Sequence, residues 1–534
     1  MSYWISWNQL QQDLPPDLKI RAMGLQPVHS PITGVTMDSR RVLPGHIFVA
    51  LAGSNTDGHR FIPDAIQRGA ILIVGEQPIP DLPVPYLMVG DSRLALAHFS
   101  AAYFGLPARQ LTVIGVTGTD GKTTTTNLIY QILLAAGIRA GMISTVNAVV
   151  GERELDTGFH VTTPEAPDIQ NYLAQMVASG ITHVVLEATS HGLAQHRVAG
   201  CEFDIGVVTN ITHEHLDYHT TLEAYREAKA RLFTSLAQTQ VKALGNYRLA
   251  VLNKDDPSYD YLQSIISDHQ PALNRIDYGI APNATLRGEK VKVSPQGIEF
   301  TAVHAGESIP VKCSLVGEYN VSNCLAAIAT TVIGLKLNAE AARQGIAHLA
   351  GIPGRMERID LGQNFLAIVD FAHTPNALQV TLSTARSLVP EGGKVIAVFG
   401  SAGLRDRMKR RLMAELSAQL ADFTVLTAED PRTESIEAIL EEMAAGAGAN
   451  GGQEGVTYWR VPDRREAIRF GLRLAHPGDI VLALGKGHEQ SMCFGDTEYT
   501  WDDRLAMRAA LAELLSIPGP EMPYLPSPAK ASER

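Results

Sequence analysis

Cysteine is scarce in this chain. Four occur in 534 residues, at positions 201, 313, 324 and 493, and no two form a Cys-x-x-Cys pair. That distribution excludes a disulfide framework and a cysteine-based zinc site. It fits a reducing compartment, so a cytoplasmic location is expected. A basic surplus is also missing. Lys and Arg total 45 against 56 Asp and Glu, a net charge of -11, which argues against nucleic acid as a general partner. An anionic small molecule stays open, because a few local Arg and Lys residues are enough to hold one. No apolar run is long enough to span a bilayer, so no membrane insertion is expected. The opening MSYWISWNQLQQDL lacks the basic start and apolar centre of a signal peptide. No repeat of solenoid period is present. What remains is 45% hydrophobic and 19% charged residues, the composition of a globular protein. The length exceeds one ordinary core and predicts three domains. A monomer acting on small molecules is the expected state.

The stretch Gly115-Val-Thr-Gly-Thr-Asp-Gly-Lys-Thr-Thr-Thr-Thr126 carries the most chemistry. Leu111 to Val116 reads as a buried strand leading into it. Leu128, Ile129, Ile132 and Leu133 recur after it at helical spacing, with Gly137 as the stop. Strand, glycine loop, Lys-Thr and helix make the phosphate cradle of nucleotide triphosphatases. The glycines let backbone N–H groups approach the phosphates, and the helix N-terminus adds favourable polarity. The ATP-binding residues expected here are Gly118, Thr119, Asp120, Gly121, Lys122, Thr123 and Thr124. Lys122 would reach the terminal phosphates, and the Thr123 hydroxyl would ligate Mg2+. The strict pattern wants glycine where Val116 stands. A dinucleotide turn or a plain tight loop could also use glycines at 115, 118 and 121, but the Lys-Thr after the last glycine argues against both.

Residues 1–108 mix short strands and helices. MDSRRVLPGHIFVALAG (37–53) reads as loop, tight turn and strand, and 57–70 as a helix ending near Gly69. Residues 109–350 alternate apolar strands with helices, which implies a mostly parallel sheet. Within them, alternation at Val291-Lys-Val293 and Ile298-Glu-Phe300 marks an antiparallel β insert over 279–316. Gly351-Ile-Pro-Gly354 reads as a hinge into a third unit, 351–515. There four apolar runs, Phe365–Phe371, Val395–Phe399, Phe423–Leu426 and Ile480–Leu484, are followed at once by AHTPN, GSAGLRDR, TAEDPRTE and GKGHE. Ligands of open α/β sheets bind beyond the carboxyl ends of the strands, so the four loops together form a candidate site. The Gly- and Ala-rich run 445–455 is expected to be a mobile loop. The proline-rich end, 516–534, is expected to be disordered.

Val184-Val-Leu-Glu187 puts a carboxylate at a strand end downstream of the cradle, where a second Mg2+ contact is needed. After the strand Ile205–Val208 comes TNITHEHLDYH (209–219), with three histidines. The zinc pattern HExxH fails, because position 217 is Asp, and His215 is the expected ligand. Lys229, in the amphipathic helix Tyr225–Phe233, is by spacing alone a solvated helix residue.

These residues resemble the Mur ligases, the ATP-dependent amide-forming enzymes of peptidoglycan precursor synthesis. The resemblance runs from DSR at 38–40 to DDR at 502–504. It is carried by TGTDGKTTT (117–125), LEATSHGLAQHRV (186–198), TNITHEHLDYH (209–219), AYREAKARLF (224–233), LVGEYNVSNCLAA (315–327), GRMERI (354–359), VDFAHTPNAL (369–378), EDPRTE (429–434) and GKGHE (485–489). DSR together with GKGHE and a DxPR-like element is similar to the branch that adds the third peptide residue, the MurE type. The resemblance implies an α/β chain of three domains: UDP-binding (1–108), a P-loop ATPase with a parallel sheet (109–350), and a Rossmann-like domain that carries the incoming amino acid (351–515). It implies that Ser39 and Arg40 sit near the uridine diphosphate, and that Thr162, Thr163, Ser190, Gln195 and Arg197 hold the diphosphate–muramoyl part. Lys122, Thr123, Glu187 and His215 would serve ATP and Mg2+. Asn320, Asn323, Arg355, Asp370 and His373 would contact or orient the nucleotide, and Arg405, Asp430, Arg432, Gly485 and Glu489 would line the amino-acid pocket. It also changes the reading of Lys229, which in this family is carbamylated by CO2. Only a neutral amine reacts with CO2, and the product is an anion on a long arm able to ligate a second Mg2+.

The implied reaction joins a diamino acid to the D-glutamyl γ-carboxylate of UDP-N-acetylmuramoyl-L-alanyl-D-glutamate through an acyl phosphate. Three departures stand out. Glu214 replaces the usual Asp before the metal-binding His, Phe371 replaces Tyr in the VDYAHTP element, and Glu429-Asp430-Pro431-Arg432 stands where DNPR marks enzymes that select meso-diaminopimelate. Arg432 can clamp a distal carboxylate bidentately, which favours diaminopimelate. Asp430 could instead attract the distal ammonium of lysine or ornithine. A folylpolyglutamate- or cyanophycin-type ligase and a non-catalytic nucleotide-binding regulator are the other readings open at this point.

Overall fold

The computed structural model describes residues 4–16, 18–23, 28–53, 56–155, 163–212, 216–269 and 272–526. It divides into two compact units. One comprises residues 1–290, 300–311 and 321–348, and the other 291–299, 312–320 and 349–534. The expected α/β architecture is present as three main sheets. The first runs Ile20–Met23, Tyr86–Val89, Leu72–Gly75, His46–Val49, Gly34–Thr36 and is parallel except at its first pair. Residues 57–70 form a short 3-10 turn (Gly58–Phe61) and a helix (Ile62–Gln67), closed by Gly69 at φ +101°.

The second sheet holds the glycine loop. Its parallel core places Thr112–Thr117 between His183–Glu187 and Ile205–Val208, with Leu249–Asn253 and Asn274–Gly279 beyond the latter. These strands read as unbroken apolar runs because both faces are covered, and Val113, Ile114, Val116, Val185, Leu186 and Val207 are fully buried. Register aligns the strand ends. Val116 pairs with Glu187 on one side and Val207 on the other, so the loops that follow open at the same edge. Leu286–Ser294, Gly297–His304 and Glu307–Cys313 follow in order where the alternation marks a β insert.

Val116, at the place of the missing glycine, is a buried strand residue; the loop begins at Gly118. Gly115 belongs to the strand too. A Cβ there would stand 2.7 Å from Leu232 and 2.8 Å from Phe203, so the glycine lets the helix Leu222–Ser235 lie close on the sheet. That helix is capped by Thr221, whose side chain accepts from the Ala224 N–H.

In the second unit the strands Leu366–Asp370, Ile480–Leu484, Val395–Phe399, Phe423–Leu426 and Tyr458–Arg460 lie side by side and parallel, with Glu357–Ile359 antiparallel at one edge. All four apolar runs are strands. Two of their ends are fastened by a buried guanidinium: Arg464 donates to the carbonyls of Ala428 (3.1 Å) and Leu484 (2.8 Å) and is ion-paired to Asp503. The run 445–455 is not all loop. The helix Ile436–Ala449 takes its first half, because Gly446 allows close approach to the 408–420 helix; a Cβ there would meet the Arg411 carbonyl at 2.5 Å. Residues 517–526 form no helix or strand, yet Leu525 is 1% exposed within the core.

Candidate active site

The glycine loop is shaped by TNIT (209–212). Asn210 holds it twice: its carbonyl accepts from Thr119 N–H at 2.7 Å and its Oδ1 accepts from Asp120 N–H at 2.9 Å. Thr209 Oγ1 donates to the Asp120 carbonyl at 2.6 Å, and Thr119 Oγ1 accepts from Thr212 N–H and lies 3.0 Å from Tyr225 OH. Two of the glycines are sterically required. Gly118 sits at φ +153° with Thr209 Oγ1 1.8 Å from where a Cβ would be; Gly121 sits at φ +80° with Asn323 Oδ1 at 2.3 Å. Asn323 also accepts from Thr125 Oγ1 at 3.3 Å, which locates this expected nucleotide residue beside the cradle. Thr124 is buried in the first turn of the helix Lys122–Ala135.

Lys122 Nζ donates to the Thr119 carbonyl at 2.7 Å, across the loop. Thr123 Oγ1 donates to Glu187 Oε2 at 3.0 Å, and the Thr145 N–H donates to the same oxygen at 3.1 Å. Both Thr123 (4% exposed) and Glu187 (1%) are buried, so a hydroxyl and a carboxylate converge at the helix N-terminus. This pair of hard oxygen donors fits Mg2+. Among the described residues no group of three His, Cys, Asp or Glu could hold a metal by itself, so such a site needs phosphate oxygens and water to complete it. His215 and Glu214 lie outside the described residues, as does Thr162.

Lys229 is not solvated. It is 1% exposed, its Nζ donates to the Gly118 carbonyl at 2.5 Å and stands 4.5 Å from the Tyr225 ring centroid. The reason is helical. Tyr225, Lys229, Leu232 and Phe233 share one stripe, and the apolar members of that stripe face the sheet. The solvated residue expected from spacing alone is thus a buried one.

The expected diphosphate–muramoyl residues gather. Thr163 (1% exposed) donates to the Glu187 carbonyl at 3.1 Å and pairs with Thr189 Oγ1 at 2.9 Å. Arg197 donates to the Thr163 carbonyl and to Gln195 Oε1, each at 2.9 Å, and pairs with Glu165 at 2.9 Å. Burial pulls the Arg197 guanidinium below its ordinary range. Ser190 Oγ is buried with no hydrogen-bond partner among the described residues, a donor that a ligand oxygen would satisfy. Arg93, absent from the expected set, reaches Gln195 Oε1 at 3.4 Å, and Tyr218 OH accepts from Gln195 Nε2 at 3.2 Å. Ser39 is 8% exposed in a 3-10 turn capped by Asp38, whereas Arg40 is largely exposed and forks onto Asp38 at 2.9 and 2.8 Å.

In the second unit, Asp370 is 8% exposed and accepts from Met356 N–H (2.7 Å), Ala372 N–H (2.9 Å) and Thr381 Oγ1 (3.2 Å). Burial raises its carboxyl above the ordinary range, against the Arg355 charge. The Phe371 ring is a platform: the Arg355 guanidinium lies 4.7 Å over it, with His373 at 4.5 Å and His488 at 5.0 Å. Burial pushes the His488 imidazole down to about 3, so it is neutral at physiological pH. Asn320 is buried, and its Nδ2 donates to the Val316 carbonyl at 2.8 Å.

The expected acceptor residues come from adjoining loops. Gly403 N–H donates to the Asp430 carbonyl at 3.0 Å, so the loop bearing Arg405 abuts the one bearing Arg432. Asp430 and Arg432 flank Pro431 at φ +41° and +54°. Asp, like Asn, tolerates this left-handed region, which suits it to the place of the Asn in DNPR. Its carboxylate is already paired: Lys486 Nζ lies 3.1 and 3.0 Å from its two oxygens, and Cys493 N–H donates at 2.9 Å. Glu489 pairs with the same Lys486 at 2.5 Å. Gly485, at φ +108°, has Glu429 Oε2 2.4 Å from where a Cβ would be.

Residues 31–103 match the Mur ligase family, catalytic domain; 116–331 match the Mur ligase middle domain; and 354–487 match the Mur ligase, glutamate ligase domain. A relative from Roseiflexus sp. (strain RS-1), named UDP-N-acetylmuramyl-tripeptide synthetase, is 44% identical over 497 residues, 92% of this chain and 96% of that protein. One from Geobacillus thermodenitrificans (strain NG80-2), named UDP-N-acetylmuramoyl-L-alanyl-D-glutamate--2,6-diaminopimelate ligase, is 41% identical over 90% of this chain and 95% of its own length. A solved structure of a ligase of that second name superposes with a TM-score of 0.66 at 31% identity, covering 96% of this chain and 99% of the other. MurF from Acinetobacter baumannii, 20% identical with a TM-score of 0.62 over 90% of this chain and 95% of its own, shares the fold. The chain belongs to the Mur ligase family, and within it to the MurE type.

Proposed function

We propose that this chain uses ATP to join meso-diaminopimelate to the D-glutamyl γ-carboxylate of UDP-N-acetylmuramoyl-L-alanyl-D-glutamate. The observation that carries the reading is the convergence of Thr123 and Glu187 beside Lys122 at the end of a sterically locked glycine loop. A carboxylate resists attack by an amine, so it must first become a better acyl donor. The γ-carboxylate attacks the terminal phosphate of ATP, giving an acyl phosphate and ADP. The acceptor amine then adds to the acyl carbon, and the tetrahedral intermediate expels phosphate.

The protein's part is placement and charge neutralisation. Backbone N–H groups of the loop and the Lys122 ammonium hold the transferring phosphoryl group. Thr163, Ser190, Gln195 and Arg197 hold the diphosphate–muramoyl part, with Ser39 and Arg40 toward the uridine. Arg355 and His373, stacked on Phe371, together with Asp370, Asn320 and Asn323, orient the nucleotide. Thr123, Glu187 and His215, with Lys229 as its N6-carboxy form, would hold Mg2+, which when bound screens phosphate charge and lowers repulsion of the attacking carboxylate. Arg405 and Arg432, whose guanidiniums enter no ion pair among the described residues, fit the distal carboxylate of the acceptor, with Gly485 and Glu489 at its other end. The enzyme works in the cytoplasm, which the scattered cysteines fit, and a monomer is the state proposed for it. No helix among the described residues is long and apolar enough to cross a membrane.

The test is ADP release and product mass with ATP, Mg2+, the UDP-muramoyl dipeptide and each of diaminopimelate, lysine and ornithine. ADP formation that requires both the dipeptide and diaminopimelate supports the reading. Nucleotide binding without turnover would favour the regulator. Lys229→Ala should abolish ligation, and short carboxylic acids should restore part of it; full activity in that variant would remove the carbamate.

A further inference from the structure

The charged groups at the acceptor loops are unevenly committed. Lys486 is 1% exposed, and its ammonium contacts both oxygens of Asp430, at 3.1 and 3.0 Å, and Glu489 Oε2, at 2.5 Å. Glu434, the next carboxylate of the 429–434 loop, accepts from Leu404 N–H at 2.8 Å and pairs with Arg410 at 2.6 Å. Glu429 is 5% exposed and pressed against Gly485. Arg405 and Arg432 carry no such partner among the described residues. Arg432 is held in its left-handed conformation by two backbone bonds to the Ser491–Thr500 hairpin: its N–H donates to the Cys493 carbonyl (3.1 Å), and its carbonyl accepts from Gly495 N–H (2.8 Å). The Asp430 carboxylate accepts from Cys493 N–H of the same hairpin, so Lys486, Asp430 and the backbone that presents Arg432 form one connected network.

We propose that Lys486 is a positioning residue that sets acceptor selectivity: by engaging both Asp430 and Glu489 it leaves the acceptor's far end facing only guanidinium groups, so that end must carry an anionic group. The inference rests on the ligase reading above and deepens its acceptor site. Without the ammonium, the Asp430 and Glu489 carboxylates would lose their shared counter-charge, and Asp430, two residues from Arg432, would offer a terminal ammonium the partner that lysine or ornithine needs. Burial by itself would disfavour a charged lysine here, but Glu489 and Asp430 together hold Lys486 above its ordinary range, so the clamp stays charged at physiological pH.

The experiment compares kcat/KM for diaminopimelate and lysine in the full-length enzyme, Lys486→Met and Lys486→Arg, with thermal melting as the folding check. Lys486→Met is expected to lower the diaminopimelate-to-lysine ratio by about tenfold or more, through the acceptor KM, while the ATP KM moves by less than about twofold. Lys486→Arg should keep the preference. A ratio for folded Lys486→Met within about twofold of the parent overturns the proposal. If Lys486→Met does not fold, Lys486→Gln decides: it keeps an amide donor toward the carboxylates but removes the charge, so the ratio should fall by about tenfold, and an unchanged ratio overturns the proposal. A parent enzyme that uses lysine and ignores diaminopimelate is a separate result, because it defeats the acceptor reading itself before any variant is measured.

Discussion

Replacing Arg464 with Met removes the guanidinium that ties together the ends of the strands Phe423–Leu426 and Ile480–Leu484. Arg464 and Asp503 are both fully buried. The guanidinium donates to Asp503 Oδ1 at 2.7 Å and Oδ2 at 2.5 Å, and to the Ala428 and Leu484 carbonyls, each next to a loop proposed to line the acceptor site. In the variant Asp503 keeps the Trp501 indole N–H at 2.8 Å but loses its counter-charge. Breaking a buried pair from one side costs about 3–5 kcal/mol, because a charge stays buried without compensation. Two orphaned carbonyls add about 1 kcal/mol each, and the methionine's apolar burial returns a similar amount. The net loss of about 4 kcal/mol is a large part of a domain's usual stability. Urea unfolding followed by tryptophan fluorescence, with Trp501 beside the lesion, reads it directly. Because the cost lies in the orphaned charge, the double change Arg464→Met with Asp503→Leu should be more stable than Arg464→Met alone. A single variant within about 1 kcal/mol of the parent, or a double variant worse than the single, would refute the reasoning.

Gly118→Ala drives a methyl into Thr209 Oγ1 and forces the loop off its anchors, so the ATP KM should rise by about tenfold or more with little change in acceptor KM; an unaltered ATP KM would show that the loop yields freely. Glu187→Gln keeps the shape and the Thr145 N–H bond but removes the charge beside Thr123. It should lower kcat by about a hundredfold with an unchanged melting temperature, and a loss below about threefold would take Glu187 out of the site. Burial pushes the Glu429 carboxyl up to about 7 from its ordinary 4.5, against the nearby Lys409 and Arg464 charges. The folded state then holds that proton more tightly than the unfolded one. Its contribution to stability is complete below about pH 4.5 and falls, by about 3 kcal/mol, as pH rises through 7. Glu429→Gln should flatten denaturation midpoints between pH 5 and pH 8; identical slopes in parent and variant would count against a buried titrating carboxyl.

The strands and the phosphate loop were legible in the residues themselves. A parallel strand covered on both faces is an unbroken apolar run, as at Ile205–Val208 and Val395–Phe399, and a phosphate loop is a local pattern of glycines before Lys-Thr. The Mur ligase motifs likewise keep their order along the chain. What needed the tertiary structure was the partner of each charged group. Lys229 reads as solvated until its helix lies on the sheet through Gly115, and Gly446 reads as loop until a neighbouring helix needs the space. Asp430 reads as an open carboxylate until a lysine 56 residues further on closes over it. Periodicity along a chain records which face is buried, because burial repeats with the local backbone geometry. The identity of what lies across the interface is set by contacts between distant segments, and no local spacing encodes it.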